Sequence, residues 1–370
     1  MTGAPLAGIK VVELARILAG PWAGQVLADL GAEVIKVESP EGDDTRRWGP
    51  PFVENADGTR DAAYFHATNR GKSSVIADFN DPADLARVRD LIAGADVVIE
   101  NFKVGGLAKF GLDHASLAAT NPRLVYCSIT GFGQDGPRAG EAGYDFIVQG
   151  MSGIMDLTGQ PDGPPTKIGV AYADIMTGLY AVIAIQAALH SREATGRGQH
   201  IDMALLDVMV GTLANQAMNY LVSGEAPRRL GNAHPNIVPY EAFPCADGWL
   251  IIAVGNDRQF ARLVELLGLE PKPVWSSNSG RVADRAILSP AIATLTRLWQ
   301  RDVLLARLAE LGIPAGPINT VAQALADPQI AARGMVLELD DGLTGLRTPI
   351  RFSDAELALG KASPRLHEGP

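Results

Sequence analysis

Two cysteines in 370 residues, Cys127 and Cys245, are too few for a disulfide framework and lack the spacing of a metal motif. Two unrelated reduced thiols are the expectation. Charge is sparse as well: 20% of residues are Asp, Glu, Lys or Arg against 47% apolar, which suggests that extra surface is covered in an oligomer. What charge there is runs negative, with a formal balance of −10, so the chain repels nucleic acid and anionic membrane in the mean. A polyanionic ligand would have to be met by a local basic cluster. No uninterrupted apolar run reaches the eighteen or so residues that a membrane span needs. The opening MTGAPLAGIKVVEL has neither the charged nor the apolar region of a secretory signal, so a cytoplasmic enzyme is expected. Internal repeats and low-complexity segments are missing too, and at this length two domains are the default.

Residues 8–38 read as strand, loop, helix, strand: GIKVVEL, ARILAGP, WAGQVLADLG and AEVIKVE. The near-continuous apolar strands predict a parallel sheet covered on both faces. Glu38 ends the second strand where a dinucleotide fold places its ribose-binding acid, which raises an NAD enzyme as a rival. The loop Arg16-Ile17-Leu18-Ala19-Gly20-Pro21 argues against it. It lacks G-x-G-x-x-G, and Pro21 removes an N–H from the helix start where a pyrophosphate would want one. The polar loop SPEGDDTRRWGPPF after Glu38 is expected on the surface, with Arg46 and Arg47 available to phosphate. Asn69-Arg70-Gly71-Lys72, then a strand SSVIADF, an Asp-capped helix and a strand DVVIENF follow. In an open parallel sheet ligands lie beyond the carboxyl ends of strands, so Leu18, Lys72, Asn101, Phe102 and Lys109 could face one crevice.

The chain turns on Thr158 to Leu189, where Gln160-Pro161-Asp162-Gly163-Pro164-Pro165 predicts an ordered turn and IMTGLYAVIAIQAALHS a helix buried on every side. Asp174 sits at its start. Two readings stand on position alone: an N-cap, or a nucleophile kept ionised in apolar surroundings by the helix dipole. Farther on, GRGQHIDMALLDVMVGTLANQAMNYLVSG predicts a short strand and a long helix. A linker-like EAPRRLGNAHPNIVPY leads to a second unit of hairpin strand, Gly255-Asn256-Asp257 turn and helices, with a Gly/Pro stop at Gly312 to Pro317.

Taken together, GIKVVELARILAGPWAGQVLADLGAEVIKVE, NRGKSSV, ENFKVG, SITGFGQDGP, TGQPDGPPTKIGVAYADIMTGLYA, GRGQHIDMALLD and GNAHPNIVPYEAF resemble the class III CoA-transferases, in that family's order and over most of the chain. Around GNAHPNIVPYEAF and GNDRQF the wording is most similar to the branch that handles dicarboxylates with succinyl-CoA or glutaryl-CoA. The resemblance implies an α/β fold: a Rossmann-like doubly wound large domain (1–200 with 330–370) plus a smaller α+β domain (229–320), joined by linkers at 201–228 and 321–329, in an interlocked homodimer. It implies that Asp174 is the catalytic nucleophile, that Tyr144 positions acyl or carboxylate oxygen, and that Gly255 and Asn256 stand where the family has a mobile glycine loop. For coenzyme A it points to Ile17, Leu18 and Ala19 at the adenine or pantetheine arm and to Asn69 and Lys72 near the nucleotide. Asn101, Phe102, Lys109 and Phe110 would then run along the crevice.

CoA carries roughly four negative charges, which gives these lysines an electrostatic task. Where some relatives have an arginine after the second strand this chain has Ser39, leaving Arg46, Arg47 or Arg70 as substitutes. Arg228, Arg229 and His234 are candidates for a second substrate carboxylate. The implied partners are acyl-CoA and a free carboxylic acid, with no tightly bound cofactor, no metal, no nucleic acid and no membrane. One alternative is a 2-methylacyl-CoA racemase, which needs two acid/base groups. That branch has a histidine within the segment that here reads Gly143-Tyr144-Asp145, and His114, His190 and His234 lie outside it. A non-catalytic acyl-CoA binder is the other alternative.

Overall fold

The computed structural model describes residues 3–55 and 58–366. The chain divides into two compact units, one of residues 1–154, 167–224 and 328–370, the other of 155–166 and 225–327.

In the first unit, β1 (Lys10–Glu13), α1 (Ala19–Asp29), β2 (Glu33–Glu38), β3 (Ser73–Ile76), α2 (Pro82–Ala93), β4 (Val97–Glu100), β5 (Val125–Thr130), α3 (Asp145–Met151), α4 (Tyr172–Thr195), β6 (His200–Ala204), α5 (Leu205–Gly211) and α6 (Ala214–Ser223) follow one another. The six strands form one parallel sheet in the order β3-β2-β1-β4-β5-β6, the doubly wound order in which the chain reverses direction between β1 and β4. Alternate residues serve the two faces, as a parallel sheet buried on both sides requires. Val11, Val97, Ile99, Val125 and Cys127 pack under α1 and α4, while Val12, Leu14, Val98, Leu124 and Tyr126 pack on the α2 side. Asp81 caps α2 through the Ala83 and Asp84 N–H groups, with Pro82 opening the helix.

The segment 201–228, expected to be linker, is not one. His200–Ala204 supplies the sixth strand by pairing with β5, and α5 and α6 replace the single long helix that the sequence suggested. The second expected linker, 321–329, holds the short helix Val321–Leu325, opened by a Thr320/Gln323 capping box, and the division between the units falls just after it.

Helix α4 departs from its expectation as well. Its 24 residues are long and apolar enough to cross a membrane by length and composition, contrary to the sequence reading. Burial, however, is confined to one face. Ala173, Thr177, Ala181, Ile185, Ala188 and Arg192 recur at helical spacing and face inward, while Leu179, Tyr180 and Ile183 are exposed. Contact with α1 is close because Gly178 has no side chain: a Cβ there would lie 2.6 Å from the Ala19 carbonyl oxygen.

Beyond residue 328 the chain returns to the first unit. The Gly71 N–H donates to the Lys361 and Ala362 carbonyls, and the Ala358 N–H to the Asp29 carbonyl. Arg46 donates to the Pro364 carbonyl at 3.1 Å.

The second unit is built on an antiparallel sheet of β7 (Tyr240–Cys245), β8 (Gly248–Ala253) and β9 (Ala315–Pro317), with β8 central, and on helices α7 (Asp257–Leu267), α8 (Arg285–Thr296) and α9 (Arg301–Glu310). Its own core gathers Phe243, Leu250, Ile252, Phe260, Trp275 and Ile292.

Candidate active site

Beyond the carboxyl ends of β1 and β4 lies the crevice where open α/β sheets take ligands. Here its floor is the loop Ala15-Arg16-Ile17, and side chains hold the backbone of all three residues. Lys36 donates to the Ala15 carbonyl at 2.9 Å. Asn101 accepts the Arg16 N–H at 2.9 Å and returns a bond to the Arg16 carbonyl at 2.7 Å. Asp43 accepts the Ile17 N–H at 3.2 Å. The Arg16 and Ile17 N–H groups are thus engaged, and Pro21 has none to offer. Glu38 is engaged as well: it takes two bonds from Arg46, one from the Asp43 N–H and one from the Ser74 hydroxyl. Glu38, the residue that raised a dinucleotide site, is accounted for by internal pairing.

Beneath the loop is a buried ionic cluster. Glu13 receives Lys36 at 3.1 Å and Lys72 at 2.8 Å, and Lys36 also reaches Asp43 at 2.9 Å. Two ammonium groups thus balance two carboxylates in a region of no solvent exposure, the condition under which buried charge is tolerated. Burial pushes the Lys72 amine down to about 8 despite Glu13, whereas Lys36, which burial alone would lower, is held above its usual range by Glu13 and Asp43. Gly24 makes room for the cluster, since a Cβ there would fall 1.8 Å from Glu13 Oε2.

The structure corrects the assignment of Asn69 and Lys72 to the nucleotide. Both are fully buried, and Lys72 spends its donors on Glu13, the Pro21 carbonyl and Asn69 Oδ1, with nothing turned to a ligand. Arg46 and Arg70 are removed on the same ground. Arg46, 4% exposed, is bound to Glu38 and Asp61 and lies against the Phe65 ring, and Arg70 is bound to Asp29 and the Leu346 carbonyl. The loop after Glu38, expected on the surface, turns inward at Asp43, Thr45 and Arg46. Arg47 stays out, 58% exposed on Asp44, and Arg16, which the sequence reading passed over, is 52% exposed on the other oxygen of the same carboxylate. Ser39 is exposed nearby in sequence.

Of the remaining crevice candidates, Leu18 and Ala19 are buried at the start of α1 and Ile17 is half-buried. Phe102 stacks on Phe79 and Phe110 meets the same ring edge-on, so both belong partly to the core, while exposed Lys109 lies 4.5 Å over the Phe110 ring. A cavity of about 260 Å³ lies over β4 and β5, lined among others by Glu100, Leu107, Tyr126, Ser128 and a stacked pair, His114 and His200. Asp174 does not line it.

Asp174 is the third residue of α4, and the cap position belongs to Ala171, so the N-cap reading fails. The cap comes from outside the helix: Asp145, first residue of α3, accepts the Ala173 N–H at 2.8 Å. Asp145 is steadied by Gln149, which donates to it at 2.8 Å and accepts the Ile168 N–H at 2.9 Å. The Asp174 carboxylate itself makes no hydrogen bond or ion pair among the described residues. Burial, reinforced by the negative charge of Asp145, lifts it to about 7. The helix terminus was expected to keep this group charged; desolvation and a like charge outweigh the dipole. Tyr64 senses the same pair: burial, then Asp174 and Asp145, push its hydroxyl up to about 12, so it remains a donor at neutral pH. Tyr144, just before Asp145, is 63% exposed. Asp145, Gln149 and Tyr64 were not singled out from sequence; Asp145 follows Tyr144 directly, and that adjacency was the available signal.

In the second unit Gly255 and Asn256 form the junction of β8 and α7, the turn between strand and helix that the sequence suggested. The Asn256 side chain caps α7 by accepting the Gln259 N–H at 2.9 Å. Gln259 accepts the Gly255 N–H and donates to the Gly312 carbonyl, which pins the junction. Arg281, fully buried, adds a bond to Asp257 at 2.8 Å. Arg229 is taken by Asp156 at 2.8 Å, His234 packs against Tyr240, and Arg228 is exposed.

The chain thus combines a parallel sheet whose first loop is held by side chains from below with a lone, half-buried carboxylate at a helix start. The family model described as CoA-transferase family III matches residues 6–369, and the chain belongs to that family. It is a CoA-transferase of class III. It is 59% identical over 373 residues, 98% of this chain and 93% of the relative, to succinate–glutarate CoA-transferase of Agrobacterium fabrum. To succinyl-CoA:glutarate CoA-transferase of Mus musculus it is 41% identical over 376 residues, covering 98% of this chain and 84% of that one. A crystal structure of a CAIB/BAIF family protein from Brucella suis superposes with a TM-score of 0.91 at 64% identity, over 99% of this chain and 97% of that chain.

Proposed function

We propose that this enzyme moves CoA between dicarboxylates, from succinyl-CoA to an acid such as glutarate, with Asp174 as the nucleophile. The observation that carries the reading is the unpaired Asp174 carboxylate, desolvated and held near neutrality. A carboxylate of this kind has its pKa lifted to about 7, so the ionised form is within reach at neutral pH, and it is not blunted by a hydrogen-bond shell.

The steps follow from what a carboxylate can do. Asp174 attacks the donor thioester, giving a mixed anhydride and releasing CoA thiolate. The thiolate returns to the Asp174 carbonyl, expelling succinate and leaving an aspartyl-CoA thioester. The acceptor carboxylate attacks that thioester to form a second anhydride and free the thiolate again. Thiolate attack on the acceptor's carbonyl then closes the new acyl-CoA and restores Asp174. Water has to be kept away, because anhydrides hydrolyse. Arg16 and Arg47, accessible and sharing Asp44, are the cations this reading assigns to the CoA phosphates in place of Arg46, Arg70 and Lys72, with Lys109 farther along the crevice. Tyr144, 63% exposed just before Asp145, keeps its proposed role beside the acyl group.

A homodimer belongs to the same proposal. Its support is the uncovered apolar surface of Leu179, Tyr180 and Ile183 on α4 and of Met218, Leu221 and Val222 on α6, more than a monomer leaves open without use. Light scattering that finds a monomer at micromolar concentration would remove it.

The deciding experiment mixes the protein with succinyl-CoA and glutarate and follows glutaryl-CoA. A single turnover quenched in acid should also yield a CoA-mass adduct, labile to hydroxylamine, on the peptide bearing Asp174. Exchange without any such adduct would refute the covalent route. α-Deuterium wash-out from 2-methylacyl-CoA without exchange would establish the racemase instead, and CoA binding without either reaction the non-catalytic binder.

A further inference from the structure

Ile17 has a φ of +72°, and it and Ala214 are the two non-glycine residues with positive φ among the described residues. For a β-branched side chain this is a true outlier, costing on the order of 1–3 kcal/mol, whereas glycine would take the conformation without penalty. The strain sits at the carboxyl end of β1, in the crevice, and the contacts around it are fixed from below. Asp43, 1% exposed, takes the Ile17 N–H on both oxygens at 3.2 and 3.4 Å. The same carboxylate accepts the Thr45 N–H at 3.0 Å, the Thr45 hydroxyl at 2.8 Å and the Lys36 ammonium at 2.9 Å. Lys36, itself without solvent exposure, also holds Glu13 and the Ala15 carbonyl.

We propose that Asp43, set in place by Lys36, is a positioning residue for coenzyme binding: it holds Ile17 in the left-handed conformation so that its half-buried side chain lines the crevice where the apolar arm of CoA runs. The inference rests on the CoA-transferase reading above. Glycine at 17 would relieve the backbone but leave nothing to touch the ligand. Isoleucine supplies the contact and needs an anchor, and the buried Lys36–Asp43 pair is that anchor. A cap for the 44–47 turn alone would explain the Thr45 bonds but not the hold on Ile17.

The test uses full-length Asp43→Asn, Ile17→Gly and the double variant, with free CoA affinity from calorimetry and kcat and KM for succinyl-CoA. Asn still caps, so Asp43→Asn keeps the 44–47 turn. It should raise the CoA Kd about tenfold, with a much smaller change in kcat at saturating donor. Ile17→Gly should melt at a higher temperature yet bind CoA about as poorly. The double variant should bind no worse than Ile17→Gly, because a glycine needs no anchor; such non-additivity marks residues that act through one another. Unchanged CoA affinity in Asp43→Asn, or penalties that multiply in the double variant, would overturn the proposal. Should Asp43→Asn fail to fold, Ile17→Gly decides alone: a stabilised protein with wild-type affinity overturns it. Wild-type protein that binds no CoA would bring down the transferase reading and this inference with it, whereas normal wild-type binding with indifferent variants removes the inference only.

Discussion

Asp145 caps the helix that carries Asp174 and, by its charge, raises the pKa of the carboxylate it helps to place. One side chain therefore helps to place the proposed nucleophile and adds to the lift that burial gives its pKa.

Activity should accordingly follow an ionisation near neutrality. We expect kcat/KM for succinyl-CoA to rise with pH through a limb centred near 7, since Asp174 has to be ionised to attack. Asp145→Asn withdraws a neighbouring negative charge and keeps an acceptor for the Ala173 N–H, so the limb should move to lower pH. A limb that stays in place in that variant would show that Asp145 does not tune Asp174.

The same group should weaken the fold at alkaline pH. Its folded pKa, about 7, lies above the value of 3.8 for a free carboxyl. Between the two the native state therefore binds more protons than the unfolded chain, and stability falls as pH rises across that window. The full shift corresponds to at most about 4 kcal/mol. Asp174→Asn should thus melt above wild type at pH 8.5 and close to it at pH 4.5, while exchange drops by roughly a thousandfold or more. Equal melting temperatures at both pH values would mean that Asp174 is not desolvated.

Two arginines neighbouring in sequence should behave as opposites. Arg47→Ala should fold normally and bind CoA about 3–10-fold more weakly, with a shallower dependence on salt, because an exposed cation has been lost. Arg46→Ala strands Glu38 and Asp61 without their partner in a buried site and should cost about 3–5 kcal/mol in chemical denaturation. Equal effects on CoA affinity would contradict the division of labour assigned here.

Gly178→Ala tests the seat of α4. With its Cβ 2.6 Å from the Ala19 carbonyl oxygen, the variant has to push α4 off α1. A loss of about 1–3 kcal/mol is expected, with activity falling further than stability because Asp174 rides on the displaced helix. A variant as active and stable as wild type would mean that the helices give way freely.

Much of the first unit was legible because its signals are local. Strand after strand of β-branched residues, with an amphipathic helix between, predicts the parallel sheet, and the Asp81-Pro82 pair marks α2 without ambiguity. Asp174 was singled out by resemblance, though its protonation was misjudged, since desolvation depends on what surrounds it and not on its helical position. Lys72, Arg46 and Arg70 were misread for one common reason. A basic residue at a strand end looks the same in sequence whether it faces solvent or a buried carboxylate, and Glu13, Glu38 and Asp29 lie 59, 8 and 41 positions away. Helix α4 misled by composition: with apolar residues all round it, nothing in the pattern separates the face that packs on α1 from the one left open.

The returning segment beyond residue 328 constrains how the protein is made on the ribosome. Asp29, Arg46 and Gly71 receive partners from positions 358 to 364, so the earlier-made unit waits, unfinished, while the whole of the other emerges and gathers its own core. Synthesis order and completion order are inverted, and nascent chains stalled before 358 should therefore carry a protease-sensitive leading unit beside a resistant trailing one.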